Sequence, residues 1–347
     1  MYFTLLKLEA ESVYEYVFER YTALNSNADD IRQDLGIENT KNKSLTVEIS
    51  ADFTSGTSQE ASKSGKRKKS KKLNQNETFY TFDINQQLTS LHSSVDNGNS
   101  TTGYVLWSLT PFFVRWLLFN NNSLPMRQRL DVDVITGDGE VTDTIRFPPL
   151  LDDKANILEL GAGISSILPI ICCNHVSKYI CTDQRGILNG LKTNIMTNLN
   201  QVNRRNIVSR SLLLPKQKED NNEAAGDEDM EEEKRKQDTV LEVLPLDWEL
   251  FPKSANAIDP TLKLENPSFI IAMDVIYNEY LIDPFLETLK TLLQNLDSAH
   301  ALVGFHLRSD DIVQQFLEKA LDMDLQVYVI EEETWKNSRY DLYYIKL

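Results

Sequence analysis

The chain has 347 residues, with 52 acidic side chains against 36 basic ones and a formal net charge of −16, which excludes a general nucleic-acid-coating protein. Its hydrophobic fraction of 41%, with 9% aromatic, is globular usage, so disorder is expected only locally, in one large domain with insertions or two ordinary ones. Three clustered cysteines, Cys172, Cys173 and Cys181, are too few for a disulfide framework and favour a reducing compartment, cytosol or nucleus.

From the amino terminus, MYFTLLKLEAES has no basic leader and meets Glu9 and Glu11 early, so secretion is not expected. Leu5, Leu8, Val13, Tyr14, Val17, Phe18 and Tyr21 recur at helical spacing and predict one helix. Residues 55–76 lose their hydrophobic side chains and carry a basic cluster from Lys63 to Lys72, read as a solvated loop that is either a nuclear address, an RNA-affinity tail or a plain spacer. A strand is predicted at 78–84 (TFYTFDI), and folded sequence resumes with YVLWSLTPFFVRWLL after a polar stretch. Arg115 interrupts the apolar run there, and no run approaches the roughly 20 residues of a membrane span.

From Ala155 the pattern becomes βαβ: strands at 156–160 and 179–182, helices at 164–175 and 186–199, and a third strand at 208–214. The insertion at 216–238 is dense in like charges and is read as disordered. Strands follow at 240–244, 269–273 and 301–305, with a helix at about 284–296 and another after 305. The chain closes with strands at 325–330 and 342–347. Such alternation predicts an α/β fold with a mostly parallel sheet covered by helices on both faces, ending in a hairpin of the last two strands.

The chemistry-bearing residues lie at the carboxyl ends of these strands. Glu159-Leu160-Gly161-Ala162-Gly163 ends one strand with glycines that let backbone approach a ligand closely, although alone it fits a simple strand-to-helix turn. Asp183 ends the next strand 22 residues after Gly161, near the roughly 20 expected for a carboxylate that binds ribose hydroxyls. That spacing serves nicotinamide cofactors and S-adenosylmethionine equally. Asp247-Trp248 offers an indole face to an adenine ring, or else a core tryptophan. Asp274 and Tyr277 follow the fully apolar Phe269-Ile270-Ile271-Ala272-Met273, and a carboxylate left buried and unpaired there is costly.

Taken in order, GYVLW with Trp107, ILELGAGIS, Thr182-Asp183, Leu246-Asp247-Trp248 and Asp274-Val275-Ile276-Tyr277 resemble the motif series of the seven-β-strand family 16 protein methyltransferases. LHSSVDNGNSTTGYVLWS and IAMDVIYNEYLIDPFLETLK further resemble the fungal ribosomal lysine methyltransferase 5 group. The resemblance implies a Rossmann-like class I domain of seven strands over 101–347, preceded by an N-terminal extension over 1–100. It implies that Trp107, Gly161, Ala162, Gly163, Asp183, Trp248 and Met273 line an S-adenosylmethionine site, and that Asp274 and Tyr277 belong to the target-lysine side. The implied substrate is a large-subunit ribosomal protein. A monomer is expected, cytoplasmic with nuclear or nucleolar access, without membrane or sequence-specific nucleic-acid partners.

Two other classes share part of this pattern. A nicotinamide-dependent oxidoreductase uses Gly161, Gly163 and Asp183 but has no need of Asp247-Trp248 followed by Asp274 to Tyr277. A non-catalytic ribosome-associated binding protein shares everything except turnover. Cys172, Cys173 and His175 lack the ligand separation of a zinc site, and no metal is expected. His306, at a strand end, is read as structural.

Overall fold

The computed structural model describes residues 3–26, 36–50, 80–88, 102–119, 127–215, 236–253, 262, 264, 268–296 and 298–347. The basic loop and nearly all of the acidic insertion lie outside the described residues. In chain order the first elements are β1 (Thr4–Lys7), α1 (Val13–Ser26), β2 (Ser44–Ile49), β3 (Tyr80–Asn85), α2 (Leu109–Phe119), β4 (Leu130–Ile135) and β5 (Val141–Phe147). There follow β6 (Asn156–Leu160), α3 (Ile167–Cys173), β7 (Lys178–Asp183), α4 (Arg185–Asn198), β8 (Asn206–Val208) and β9 (Asp238–Pro245). The chain ends with β10 (Ser268–Met273), α5 (Ile282–Asn295), β11 (Ala299–His306), α6 (Asp310–Asp322), β12 (Gln326–Glu331), α7 (Glu333–Lys336) and β13 (Tyr340–Lys346).

One sheet runs in the order β5-β4-β1-β12-β13-β11-β10-β6-β7-β9-β8, and β2 pairs with β3 in a separate antiparallel hairpin. The ladders from β8 to β11 are parallel, whereas β13 is antiparallel to both β11 and β12. Every residue of β6 and β10 is buried, which is why NILEL and SFIIAM carry no polar alternation. Ile157, Phe269, Ile271 and Met273 pack on the side of α2, α3 and α4, while Leu158, Leu160, Ile270 and Ala272 pack on the side of α1, α5 and α6. The order in which strands are added reverses at the parallel β6·β10 pair, and the crevice above such a pair, at the carboxyl ends, is where open α/β sheets bind ligands.

The expected seven strands are present from β9 to β12 but are not the whole sheet, which has eleven. β8 lengthens one edge, and β1, β4 and β5 lengthen the other. β1 comes from the stretch expected to be helical: Leu5 and Leu6 pair with Ile330 and Val329 of β12, and α1 begins only at Val13. Pairing on both edges outweighs the local helical spacing of Leu5 and Leu8, and the Ser12 hydroxyl, accepting the Glu9 N–H at 3.1 Å, turns the chain into the helix. The strand expected at 208–214 stops at Val208, because the Glu242 carboxylate accepts the N–H groups of Arg210 and Ser211 at 2.9 Å each and draws them off the ladder.

The β2–β3 hairpin is held by side chains that imitate a strand. On α4, Asn194 and Asn198 stand one turn apart, and each amide exchanges two hydrogen bonds with the backbone of Asn85 and Asp83, at 2.9 to 3.0 Å. A tight ion pair fastens α1 to the last strand: Arg20 Nε donates to Asp341 Oδ1 at 2.8 Å, and Tyr16 donates to Oδ2 at 2.6 Å. Among the described residues, no helix is long and apolar enough to cross a membrane.

Candidate active site

The turn after β6 depends on its glycines. Gly161 and Gly163 have φ of +69° and +58°, in the left-handed region that glycine enters without a steric cost. A Cβ on Gly161 would lie 2.7 Å from Val275 Cγ1 and 3.2 Å from the Trp248 ring, and one on Gly163 would lie 3.2 Å from the Gly103 carbonyl. Between them, the Ala162 N–H donates to the Thr182 carbonyl at 3.0 Å and ties the turn to the end of β7. Asp183 Oδ2 accepts the Gly163 N–H at 2.7 Å and Oδ1 accepts the Gln184 N–H at 2.6 Å. Burial pushes this carboxyl up to about 6 in spite of the two amides that oppose the shift.

Beneath the turn lies Glu159. Burial pushes its carboxyl up to about 8, against the Tyr179 hydroxyl, which donates to it at 2.9 Å and opposes the rise. Trp248 follows β9 in a turn whose first residue, Asp247, accepts the Glu249 N–H on its carboxylate at 3.0 Å. The Trp248 ring stands edge-on to Phe285 of α5, with centroids 5.2 Å apart. Trp107 is fixed through Nε1, which donates to the Thr102 carbonyl at 3.0 Å.

Asp274 leaves β10 with φ of +60°, unusual for a residue other than glycine and tolerated best by Asp and Asn. Its N–H donates to the Gly304 carbonyl at 2.9 Å, carrying the β10·β11 ladder one step past the strand. The carboxylate is 1% exposed and meets the fork of Arg308: Nη1 donates to Oδ1 at 2.9 Å and Nη2 to Oδ2 at close range. Burial, the larger influence, raises its pKa above the ordinary carboxylate range, and Arg308 opposes that rise. Two parallel charge-assisted hydrogen bonds hold the pair as carboxylate and guanidinium. The same guanidinium lies over the Trp107 ring, 4.9 Å from its centroid.

An open cavity lies above these strand ends, and all nine residues singled out from the sequence line it: Trp107, Gly161, Ala162, Gly163, Asp183, Trp248, Met273, Asp274 and Tyr277. Glu159, Thr110 and Gln184 line it as well. Sequence reasoning missed Arg308 and the segment at 36–38. The signal for Arg308 was the need of a buried Asp274 for a cation, and Arg308, two residues past the end of the neighbouring β11, supplies one. Gly36, by contrast, lies in a stretch without a motif. Its carbonyl accepts the Ser108 N–H at 2.8 Å, Glu38 N–H donates to the Leu106 carbonyl at 2.9 Å, and Ile37 bridges to Trp107. His306, read as structural, is buried against Tyr340 with ring centroids 5.1 Å apart, and burial pushes its imidazole down to about 3. Cys172, Cys173 and Cys181 are buried free thiols in the core.

No family model matches the chain. Full-length relatives do. Ribosomal lysine N-methyltransferase 5 of Candida glabrata is 48% identical over 356 residues, covering 100% of both chains. The protein of that name from Vanderwaltozyma polyspora is 42% identical, covering 98% of this chain and 99% of its own. The one from Saccharomyces cerevisiae strain AWRI796 is 42% identical, covering 99% and 100%. Among solved structures, precorrin 8W decarboxylase of Methanobacterium thermoautotrophicum covers 56% of this chain and 83% of its own at 10% identity, with a TM-score of 0.31, too slight a likeness to bear on the assignment. At 42 to 48% identity from end to end, the chain belongs to the ribosomal lysine N-methyltransferase 5 family.

Proposed function

We propose that the chain transfers a methyl group from S-adenosylmethionine to a lysine amine of a large-subunit ribosomal protein in the cytoplasm. The observation that supports this reading is that a glycine turn, the Asp183 carboxylate and the Trp248 indole line one cavity together with Asp274 and Tyr277. The glycine turn is a cradle that Cβ atoms would fill. Beside it, a buried carboxylate fits a ribose whose hydroxyls donate to it, and the half-buried indole that lines the cavity fits the adenine. Gly161, Ala162, Gly163, Asp183, Trp248, Trp107 and Met273 would hold the cofactor, and Asp274 and Tyr277 the lysine side.

When bound, S-adenosylmethionine supplies an electrophilic methyl carbon: the lysine lone pair forms the C–N bond as the C–S bond breaks, its electrons remain on sulfur, and the methylated nitrogen releases a proton to solvent. Lysine arrives protonated, with a reference pKa of about 10.4, so presenting the neutral amine at pH 7 costs about 4 to 5 kcal/mol before any help from the site. Desolvation in the cavity lowers that cost. Asp274 acts by orienting the amine or the loop that admits it, since a bare carboxylate would favour the ammonium form. Tyr277 walls the approach, and alignment of nitrogen, methyl and sulfur supplies most of the rate.

The test is mass spectrometry of ribosomal proteins from cells with and without the enzyme, joined to methylation of the deficient ribosomes by purified protein. A lysine that gains mass in steps of one methyl group only when enzyme and S-adenosylmethionine are both present is the expected result. Ribosomes with identical masses from both cells, and no transfer in vitro, would overturn the reading.

A further inference from the structure

We infer that Arg308 is a positioning residue of the lysine side, whose guanidinium cancels the charge of Asp274 beside the incoming amine and braces Trp107 against the cavity. The inference rests on the lysine-methyltransferase reading above. A carboxylate alone next to the target nitrogen would stabilise the ammonium form, which has no lone pair to attack with. In this site both oxygens of Asp274 are already taken by the planar fork of Arg308. The amine therefore meets an ion pair rather than a free anion, and the neutral nucleophile is not penalised.

Three contacts fix where Arg308 can be. Its fork grips Asp274, whose own backbone is anchored to Gly304. Its plane rests on Trp107, which Thr102 holds by the indole N–H. From outside, Gly36 (φ +75°) backs onto it: a Cβ there would run into the His306 imidazole and lie 2.9 Å from Arg308 Nη2. The segment at 36–38 thus packs against the site, with Ile37 bridged to Trp107 itself. A lysine in place of Arg308 would keep the charge but lose both the fork and the stack.

Other ionisable groups must be weighed. Around the pair stand His306, held neutral by burial, and Arg339, which donates to the Leu307 carbonyl at 3.2 Å. Along the cavity stand Asp247, Glu249 and Tyr277, with Asp183 and Glu159, both raised by burial, at the glycine turn. Asp274 is the carboxylate that follows β10 at the lysine side and the one in this group that is paired to an arginine.

The experiment measures methyl transfer to enzyme-deficient ribosomes from about pH 6.5 to 9.5 for the wild type, Arg308→Gln, Arg308→Lys and the double variant Arg308→Gln/Asp274→Asn, because the profile of kcat reports groups of the bound complex. S-adenosylhomocysteine affinity and thermal midpoints are measured on the same preparations. Arg308→Gln should lower kcat by about tenfold or more near pH 7.5, recover toward high pH, and move the apparent pKa up by about one unit, with cofactor affinity within about threefold. Arg308→Lys should be impaired at all pH values, and the double variant, which removes both charges, should return the profile to the wild-type position. If Arg308→Gln does not fold, the double variant decides alone, and a profile displaced from the wild type overturns the inference. An unshifted profile in a folded Arg308→Gln, or a loss of cofactor affinity that accounts for all lost activity, overturns it too. A wild type that transfers no methyl group overturns the proposed function itself, which is a distinguishable result.

Discussion

The Gly163 N–H donates to Asp183 Oδ2 at 2.7 Å, so the glycine turn and the end of β7 are joined through the carboxylate read as the ribose ligand. That carboxylate is held protonated up to a pH of about 6 by burial, and a protonated oxygen is a poorer acceptor for a ribose hydroxyl. The folded-state pKa is raised, so as pH falls through about 6 the acceptor is lost, and affinity for S-adenosylhomocysteine should fall with it. Calorimetry at pH 5 and pH 8 measures this. Asp183→Asn should bind about tenfold or more weakly at pH 8, a loss of about 1.4 kcal/mol, and lose the pH dependence. Equal affinities at both pH values for the wild type would take Asp183 off the ribose.

Trp248 is half-buried, and its ring is set edge-on to Phe285 with an edge close to Gly161. Base–aromatic stacking is worth about 1 to 3 kcal/mol, so Trp248→Ala should weaken S-adenosylhomocysteine binding by about 5- to 150-fold, and Trp248→Phe by less. Unchanged affinity for Trp248→Ala would return this residue to a packing role.

Arg20 reaches from α1 to Asp341 at 2.8 Å and donates to the carbonyls of Trp335, Lys336, Ser338 and Tyr340. Its side chain is 10% exposed and that of Asp341 is 4% exposed. Removing one partner of a buried, hydrogen-bonded pair costs about 3 to 5 kcal/mol, so Arg20→Ala should lower unfolding free energy in urea by that order. A change below about 1 kcal/mol would mean that α1 is dispensable for the body of the fold.

How much of this was legible in the sequence follows from where the information is local. The turn at Gly161 and Gly163 needs glycine for its own backbone, and Asp183, Trp248 and Asp274 each stand at or just after an apolar strand, so pattern and spacing suffice to find them. β1 was misread because Leu5 earns its burial from β4 and β12, whose sequence lies more than a hundred residues away. β4 and β5 were not foreseen, whereas β8 ends at the start of the stretch expected as a strand at 208–214. Arg308 was required by the charge of Asp274 but could be identified only by geometry, since a cation two residues past β11 has no spacing rule to mark it. Gly36 had no local signal at all: its φ and its closeness to His306 and Arg308 exist only in the assembled fold.

Asp274 and Tyr277 are expected to act on the lysine rather than on the cofactor. Asp274→Asn is the informative change, because asparagine tolerates the φ of +60° found there and keeps the volume while the charge disappears. The variant leaves Arg308 facing a neutral amide, so the amine would meet a net positive wall and be oriented poorly. Turnover on enzyme-deficient ribosomes should fall by orders of magnitude, while affinity for S-adenosylhomocysteine shifts by less than about 1.4 kcal/mol, a factor of ten. Tyr277→Phe keeps the ring that walls the cavity and should be milder. Thermal midpoints of both variants separate a local effect from loss of the fold, which matters because breaking a buried ion pair is itself destabilising. Normal turnover for a folded Asp274→Asn, or a loss of cofactor binding large enough to explain all lost activity, would remove the pair from the lysine side and leave Asp274 as a structural anchor for β11.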